Sequence, residues 1–380
     1  MTTLNVNKPL LVALVGLLSV SLLGWNARGA PLFWAGLIGG AAGFALYHAA
    51  FGFTAGWRRL VTEGRSSGVR AQFLLIALTA LVSYPLIGWF GAGAFVQPVG
   101  VGMVFGAFLF GIGMQFGGGC GSGTLFVAGG GSTRMVITLF FFIVGSVIGH
   151  AHFPIWHALP RTAAGISIIE GVGPVGALAV LLSVLGVLAV LAARWERHVH
   201  GALETTRRTE SLLRGPWSPW AGAVALALVG IATFLVLNRP WGITQAFGYW
   251  GAKWLYLAGV PMEHWTLLRW SEASLERTVF ASSTSVMNFG IMLGALAASA
   301  LAGRFAPVWR LSFRDVWTAV LGGLLMGYGA RLGYGCNIGA YLGGLVSGSL
   351  HGAVWGVAAF AGSTLVARAR MPRDPRSAPA

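Results

Sequence analysis

Charge is the scarcest commodity in this sequence. Charged residues make up 9% of the 380 residues, against about 25% in an ordinary soluble domain. A water-soluble fold of this size needs far more polar surface, so that class is excluded. Acidic side chains are the rarest, with 10 Asp and Glu against 25 Lys and Arg. They keep to loops, tails and the ends of apolar runs, which argues against a carboxylate proton relay or an Asp-built sodium site. Lysine occurs only at Lys8 and Lys253. The chain holds two cysteines, Cys120 and Cys336. That is too few for a disulfide framework, though the two could still form one bridge. A thiolate zinc or iron–sulfur centre wants more soft ligands than two, and no other Cys or His lies within a few residues of either thiol. No metal and no cofactor is expected.

The net charge of +15 is not a nucleic-acid signature. The basic residues sit in short loops between apolar runs, where they act as cytoplasmic retention signals. Hydrophobic residues are 56% of the chain. Runs of the length that spans a hydrocarbon core, roughly 20 residues, lie near 8–25, 31–52, 71–90, 98–116, 133–150, 174–193, 218–237, 280–303, 315–332 and 349–367. The expected fold is an all-α polytopic membrane protein with about ten transmembrane helices. The first run is expected as a retained helix rather than a cleaved signal peptide. Placing the Arg-rich segments after Gly56, Arg194 and Gly303, and the basic tail, on one side gives a self-consistent topology with both termini cytoplasmic. Residues 241–261 resist this count. Their tryptophans, Trp241, Trp250 and Trp254, suggest a half-span or interfacial helix on the outer side.

Glycine is abundant, with 58 residues, and it is patterned. The stretches "FGIGMQFGGGCGSGT" (110–124) and "MGYGARLGYGCNIGA" (326–340) each carry one of the two cysteines. At the offset 336 − 120 = 216, eight of the 20 positions in 105–124 match 321–340 without a gap, giving a shared G-x-G-x-x-x-G-x-G-C-x-x-G. The run before Cys120 heads inward and the run before Cys336 heads outward, so the two loops have opposite polarity. The chain therefore reads as two inverted repeats whose glycine-rich, broken or re-entrant helices lie at membrane depth. The expected layout is an N-terminal helix over 1–30, a first repeat over 31–173, a connecting span and basic loop over 174–217, a second repeat over 218–367, and a disordered basic tail over 368–380.

Non-helical backbone at membrane depth is tolerated only where it is buried in protein or lines a polar path. Glycine lets such a loop turn and lets its N–H groups face a ligand. Close helix packing is the plainer use, and it suits Gly111, Gly113 and Gly327 equally well. It does not suit "GGGCGSG". The path is therefore expected to be lined by Gly117, Gly119, Cys120, Gly121 and Gly123 in one loop and by Gly333, Gly335, Cys336, Asn337 and Gly339 in the other. Arg331 ends an apolar run leading into the second loop, and Gln115 is its repeat partner. A buried Arg is usually functional, though it can snorkel to an interface. With positive helix ends nearby, the site is suited to an anion. A neutral thiol is a weak, soft donor that matches an anion ending in sulfur. An inert buried Cys pair or a membrane dithiol redox pair are the alternatives.

At the motifs "GIGMQFGGGC" and "GYGARLGYGC" the chain resembles the YeeE/YedE family of inner-membrane transporters, over roughly residues 31 to 367. The resemblance implies an hourglass-shaped protein in the bacterial inner membrane that is a permease and not an enzyme. It implies passage of thiosulfate or a related sulfur anion past Cys120 and Cys336, and work beside a TusA-type cytoplasmic sulfurtransferase. The family commonly has a further cysteine in an F-C-F element. Here "AFGFTAG" places Gly52 at that position, between Phe51 and Phe53.

Overall fold

The computed structural model describes residues 7–260 and 272–369. The chain folds as α1 (Lys8–Arg28), α2 (Ala30–Ala49), α3 (Phe53–Glu63), α4 (Ser67–Phe90), α5 (Val101–Gly117), α6 (Gly121–Gly129), α7 (Thr133–His157) and α8 (Ile168–His200). It continues with α9 (Pro219–Leu237), α10 (Thr244–Leu257), α11 (Glu272–Glu276), α12 (Ser283–Leu301), α13 (Phe313–Leu332), a π-helical turn (Asn337–Leu342), α14 (Gly343–Leu345) and α15 (Leu350–Ala369). Local chemistry sets many of these ends. Ser218 caps α9 ahead of Pro219, and Ser312 with Asp315 forms a reciprocal capping box on α13. Left-handed glycines close α3 at Gly64 (φ 66°) and α4 at Gly91 (φ 66°).

Each of the ten apolar runs forms a helix. Nine helical segments among the described residues are long and apolar enough to cross a membrane. The remaining run forms α13, whose 20 residues carry Arg314, Asp315, Arg331 and several glycines and so read as less apolar. Helix α10 has 14 residues, about 21 Å of helix, and is too short to span about 30 Å of hydrocarbon. It is a half-length helix with a buried start and an exposed end, where Trp254 is 48% exposed. Trp241 and Trp250 are 2% and 8% exposed, and the Trp250 Nε1 donates to Ser285 Oγ at 2.9 Å. Tryptophan serves a buried core as readily as an interface when its N–H finds a partner. The expected connecting span starts earlier than the apolar run: α8 begins at Ile168 and is broken at Gly173 (φ 73°), ahead of Pro174. The expected disordered tail begins inside α15, at Arg368, and residues 370–380 lie outside the described residues.

The element order occurs twice as long, short, long, long, short, long. It runs from α2 to α7, and again from α9 through α10, α12, α13 and the π-turn with α14 to α15. Packing follows the same exchange. Helix α7 lies on α13 as α15 lies on α5, α2 lies on α12 as α9 lies on α4, and α5 and α13 pack on each other. A two-fold relation between the halves produces such a pattern. It holds at atomic detail. A Cβ at Gly111 would be 2.0 Å from the Ala359 carbonyl oxygen, and one at Gly327 would be 2.2 Å from that of Phe142. Likewise Gly145 faces the Leu324 carbonyl and Gly362 that of Phe108, at 2.4 and 2.1 Å. The offsets are 327 − 111 = 216 and 324 − 108 = 216 before the cysteine loops, but 359 − 142 = 217 and 362 − 145 = 217 after them. The second half therefore holds one additional residue between Gly339 and Ala359.

The end of α8 is tied to the start of α4 by one carboxylate. Glu196 is fully buried. Its Oε2 accepts from the Ser66 N–H at 3.0 Å and from the Ser66 hydroxyl, and its Oε1 accepts from the Glu204 N–H at 2.9 Å and Arg65 Nη1 at 3.4 Å. Truncation strands all four donors. Glu196→Ala is expected to cost about 3–5 kcal/mol, read as a lowered thermal midpoint in detergent. Glu196→Gln, which keeps one acceptor, should cost clearly less.

Candidate functional site

The two cysteine loops share one backbone course. Helix α5 ends in Gly118 at φ 80°, and the residue at the matching place after α13 is Tyr334 at φ 61°. A tyrosine there costs on the order of 1–3 kcal/mol in strain, and its ring is held against Phe153 and His351. Both cysteines then turn extended, Cys120 at φ −84°, ψ −168° and Cys336 at φ −111°, ψ −170°. Each opens the next helical turn with its own carbonyl. The Cys120 carbonyl accepts from the Thr124 N–H at 2.8 Å, and that of Cys336 from the Ala340 N–H at 2.7 Å.

Both cysteines are free thiols, 1% and 0% exposed. The loops meet. A Cβ at Gly121, the residue after Cys120, would stand 3.0 Å from Cys336 Sγ and 3.2 Å from Thr244 Cγ2. Only glycine allows that approach. On the other side, Cys120 Sγ lies 3.4 Å from Ser122 Oγ. The expected path glycines divide into two kinds. A Cβ at Gly117 or at Gly333 would stand 2.8 Å from Met326 Cε or Trp355 Nε1. Gly119 and Gly335 pack within their own loops, against Gly123 and Ala340. Gly123 and Gly339 are less crowded. The nearest atoms to their missing side chains are Cys120 Sγ at 3.7 Å and Gly242 Cα at 3.9 Å.

Gln115 and Arg331 hold equivalent posts. Gln115 Nε2 donates to Ser363 Oγ at 2.7 Å and to the Thr54 carbonyl at 3.4 Å. Arg331 Nη2 donates to the Thr244 carbonyl at 2.6 Å, and its Nη1 lies 3.3 Å from His150 Nε2. Thr54 and Thr244 stand in the first turns of the short helices α3 and α10, in the matching triplets Gly52-Phe53-Thr54 and Gly242-Ile243-Thr244. Arg331 thus anchors a short helix beside the Cys336 loop. Two residues absent from the sequence reading share this task. Gln72 Nε2 donates to the Gly52 carbonyl at 3.3 Å and Asn288 Nδ2 to the Ile243 carbonyl at 3.0 Å. Their separation, 288 − 72 = 216, is the signal that would have found them.

A cavity opens beside each short helix. One, of about 210 Å³, is lined by Arg28, Arg239, Arg277, Gln245, Ser283 and Thr284. The other, of about 300 Å³, is lined by Gly52, Arg59, Ser67, Gly68, Gln72, Glu204 and Arg207. Ser67 and Gly68 map onto Ser283 and Thr284 at the 216 offset, so the cavities are equivalent places in the two halves. Their charge differs. Among the described residues the first is lined by three arginines and no carboxylate. In the second, Glu204 pairs with Arg59 at 3.0 Å, and Arg207 is spent on the Ala49 carbonyl at 2.7 Å.

Gly52 borders the second cavity at φ −138°, and nothing stands nearer its missing side chain than Ala55 Cβ at 4.0 Å. Gly52→Cys is expected to fold with a stability change within about 0.5 kcal/mol. The new thiol should react readily with a water-soluble maleimide, unlike buried Cys120 and Cys336. A Gly52→Cys protein that misfolds or resists labelling would contradict this geometry.

The helical bundle, with paired broken helices that bring two cysteine loops together in its interior, defines a polytopic membrane protein of the transporter type. The chain belongs to the sulphur transport family, whose model matches residues 48–365. It is similar to the probable transporter YedE of Escherichia coli K12, 30% identical over 40% of this chain and 37% of that protein. The matched segment thus spans well under half of the YedE relative's length. Two relatives named thiosulfate transporter TsuA align more fully. That of Escherichia coli K12 is 26% identical over 80% of this chain and 85% of its own length. That of Spirochaeta thermophila is 28% identical over 64% of this chain and 70% of its own length.

Proposed function

We propose that this chain is a permease that imports thiosulfate, or a related sulfur-containing anion, across the bacterial inner membrane. The observation that carries the reading is the meeting of the two equivalent cysteine loops at Gly121 and Cys336. The flanking cavities and the relatives named for thiosulfate transport support it. In this reading the halves, residues 31–173 and 218–367, are inverted in the bilayer and both termini are cytoplasmic. The arginine-only cavity attracts the anion on the outer side, and the cavity at Gly52 opens to the cytoplasm.

A dianion entering a low-dielectric neck must exchange water for fixed donors. Backbone N–H groups at the loop ends serve the oxygens. The thiols serve the terminal sulfur as weak neutral donors, so the ion is held and still released. With no cysteine at Gly52, the inner end of the neck relies on backbone and water. A TusA-type cytoplasmic sulfurtransferase is the partner class the reading implies, as acceptor of the imported sulfur.

The test is uptake of radiolabelled thiosulfate into cells that lack every other sulfate and thiosulfate importer, with this chain as the only route. Uptake well above the empty-vector level is the expected result. Background uptake by a well-expressed, folded protein would overturn the reading, and thiol–disulfide cycling of Cys120 with Cys336 would then point to a redox protein.

A further inference from the structure

The cysteine loops share a backbone course and differ at three positions, Gly118 against Tyr334, Gly121 against Asn337 and Ser122 against Ile338, of which only the second gives this half a polar side chain next to its thiol. Gly121 follows Cys120, and Asn337 stands at the equivalent place after Cys336. Asn337 is 0% exposed, and neither its Nδ2 nor its Oδ1 has a hydrogen-bond partner among the described residues. Burying an amide in that state is costly, and buried polar groups nearly always find partners. Gly121 opens an α-helix, whereas Asn337 opens a π-turn. In the π-turn over Asn337–Leu342, the Cys336 carbonyl accepts from both the Ala340 and the Tyr341 N–H, at 2.7 and 3.3 Å. Single π-turns recur at functional sites. Two residues on, a Cβ at Gly339 would meet only Gly242 Cα, at 3.9 Å. A donor-rich amide, buried and unpartnered, therefore lies beside the thiol that meets the other loop.

The geometry points to Asn337 as the specificity-determining residue of the neck. Its Nδ2 donates to an oxygen of a sulfur oxyanion while the adjacent Cys336 thiol faces the terminal sulfur. The assignment rests on the permease reading above. Together the two side chains read both ends of an anion that has one terminal sulfur and several oxygens. A neutral amide suits this task because it offers two N–H donors without a countercharge that would trap the ion. A site built to hydrogen-bond a substrate group discriminates against analogues that lack the group. Sulfate lacks the terminal sulfur, and hydrosulfide lacks the oxygens.

The experiment measures thiosulfate uptake by wild type, Asn337→Ala and Asn337→Asp, with sulfate and hydrosulfide as competitors and with thermal midpoints of the purified proteins. For Asn337→Ala the expected KM for thiosulfate rises about tenfold or more. Competition by hydrosulfide becomes relatively stronger, and the thermal midpoint stays level or rises because an unsatisfied amide has gone. Asn337→Asp, close in size but anionic, is expected to fold and to lose nearly all uptake. An Asn337→Ala protein with unchanged KM and competition profile, in cells where wild type transports, overturns this assignment alone. A lowered thermal midpoint with unchanged KM marks Asn337 as structural and also overturns it. No thiosulfate uptake by folded wild type overturns the permease reading, and this assignment with it.

Discussion

Cys120→Ser and Cys336→Ser are each expected to lower thiosulfate uptake on the order of a hundredfold, as removal of one fixed donor does elsewhere, while leaving a folded protein. Serine keeps a hydroxyl of nearly the same shape, so packing survives. Ser122 Oγ, 3.4 Å from Cys120 Sγ, is already placed to partner a hydroxyl at position 120. What disappears is a large polarizable atom that can face another sulfur. A hydroxyl is a harder and stronger donor, and it prefers the oxygens that the backbone N–H groups already serve. Both thiols are buried where the loops converge, so neither variant leaves a bypass. Thiosulfate should also slow the reaction of small thiol reagents with wild-type Cys120 and Cys336. Normal uptake in both serine variants, with labelling unchanged by saturating thiosulfate, would remove the cysteines from the path. A dithiol assay positive in both single variants would exclude the redox alternative.

Gly294→Ala is expected to cost on the order of 3 kcal/mol or more, a large part of the 5–15 kcal/mol typical of a folded protein. A Cβ at Gly294 would lie 1.9 Å from the Gly40 carbonyl oxygen, and across the same α2–α12 interface one at Gly43 would lie 1.9 Å from that of Ile291. Neither obstacle is a side chain that can rotate away. The helices must part, and helices in a bilayer associate through this kind of close backbone contact. Gly186→Ala is the control. It lies in α8 with nothing within 4 Å of the added Cβ, so the better helix propensity of alanine should stabilise by about 0.5–1 kcal/mol. The measurement is the thermal midpoint of each purified variant, and equal midpoints would refute the packing argument.

The spans were legible because hydrophobic runs of the right length have few other uses. The cysteine loops were legible because their glycines recur at one spacing. Packing, the plainer reading of Gly111, Gly113 and Gly327, holds, since each presses on the backbone of a neighbouring helix. The π-turn was hidden because residue identity does not separate a π-turn from an α-helical one. Arg331 could be picked out as unusual, but its partner is the Thr244 carbonyl, and a backbone acceptor leaves no trace in residue identity. Gln72 and Asn288 are isolated amides in apolar helices, and their backbone acceptors leave no trace in residue identity either. Trp241 and Trp250 suggested an interface because tryptophan frequencies do not separate a buried indole from one at the headgroups.

The glycine contacts between halves carry a mechanical consequence. Gly111 of the first half is seated on the Ala359 backbone of the second, Gly327 of the second on Phe142 of the first, and Gly43 of the first on Ile291 of the second. The halves are dovetailed, each gripping the other on both sides of the α5–α13 pair. A carrier that tilts one lobe against the other needs a smooth bearing surface between them, and here that surface is toothed at backbone height. Tilting would unseat all of these teeth together. Contacts of this kind favour a scaffold in which the two halves stay fixed against each other.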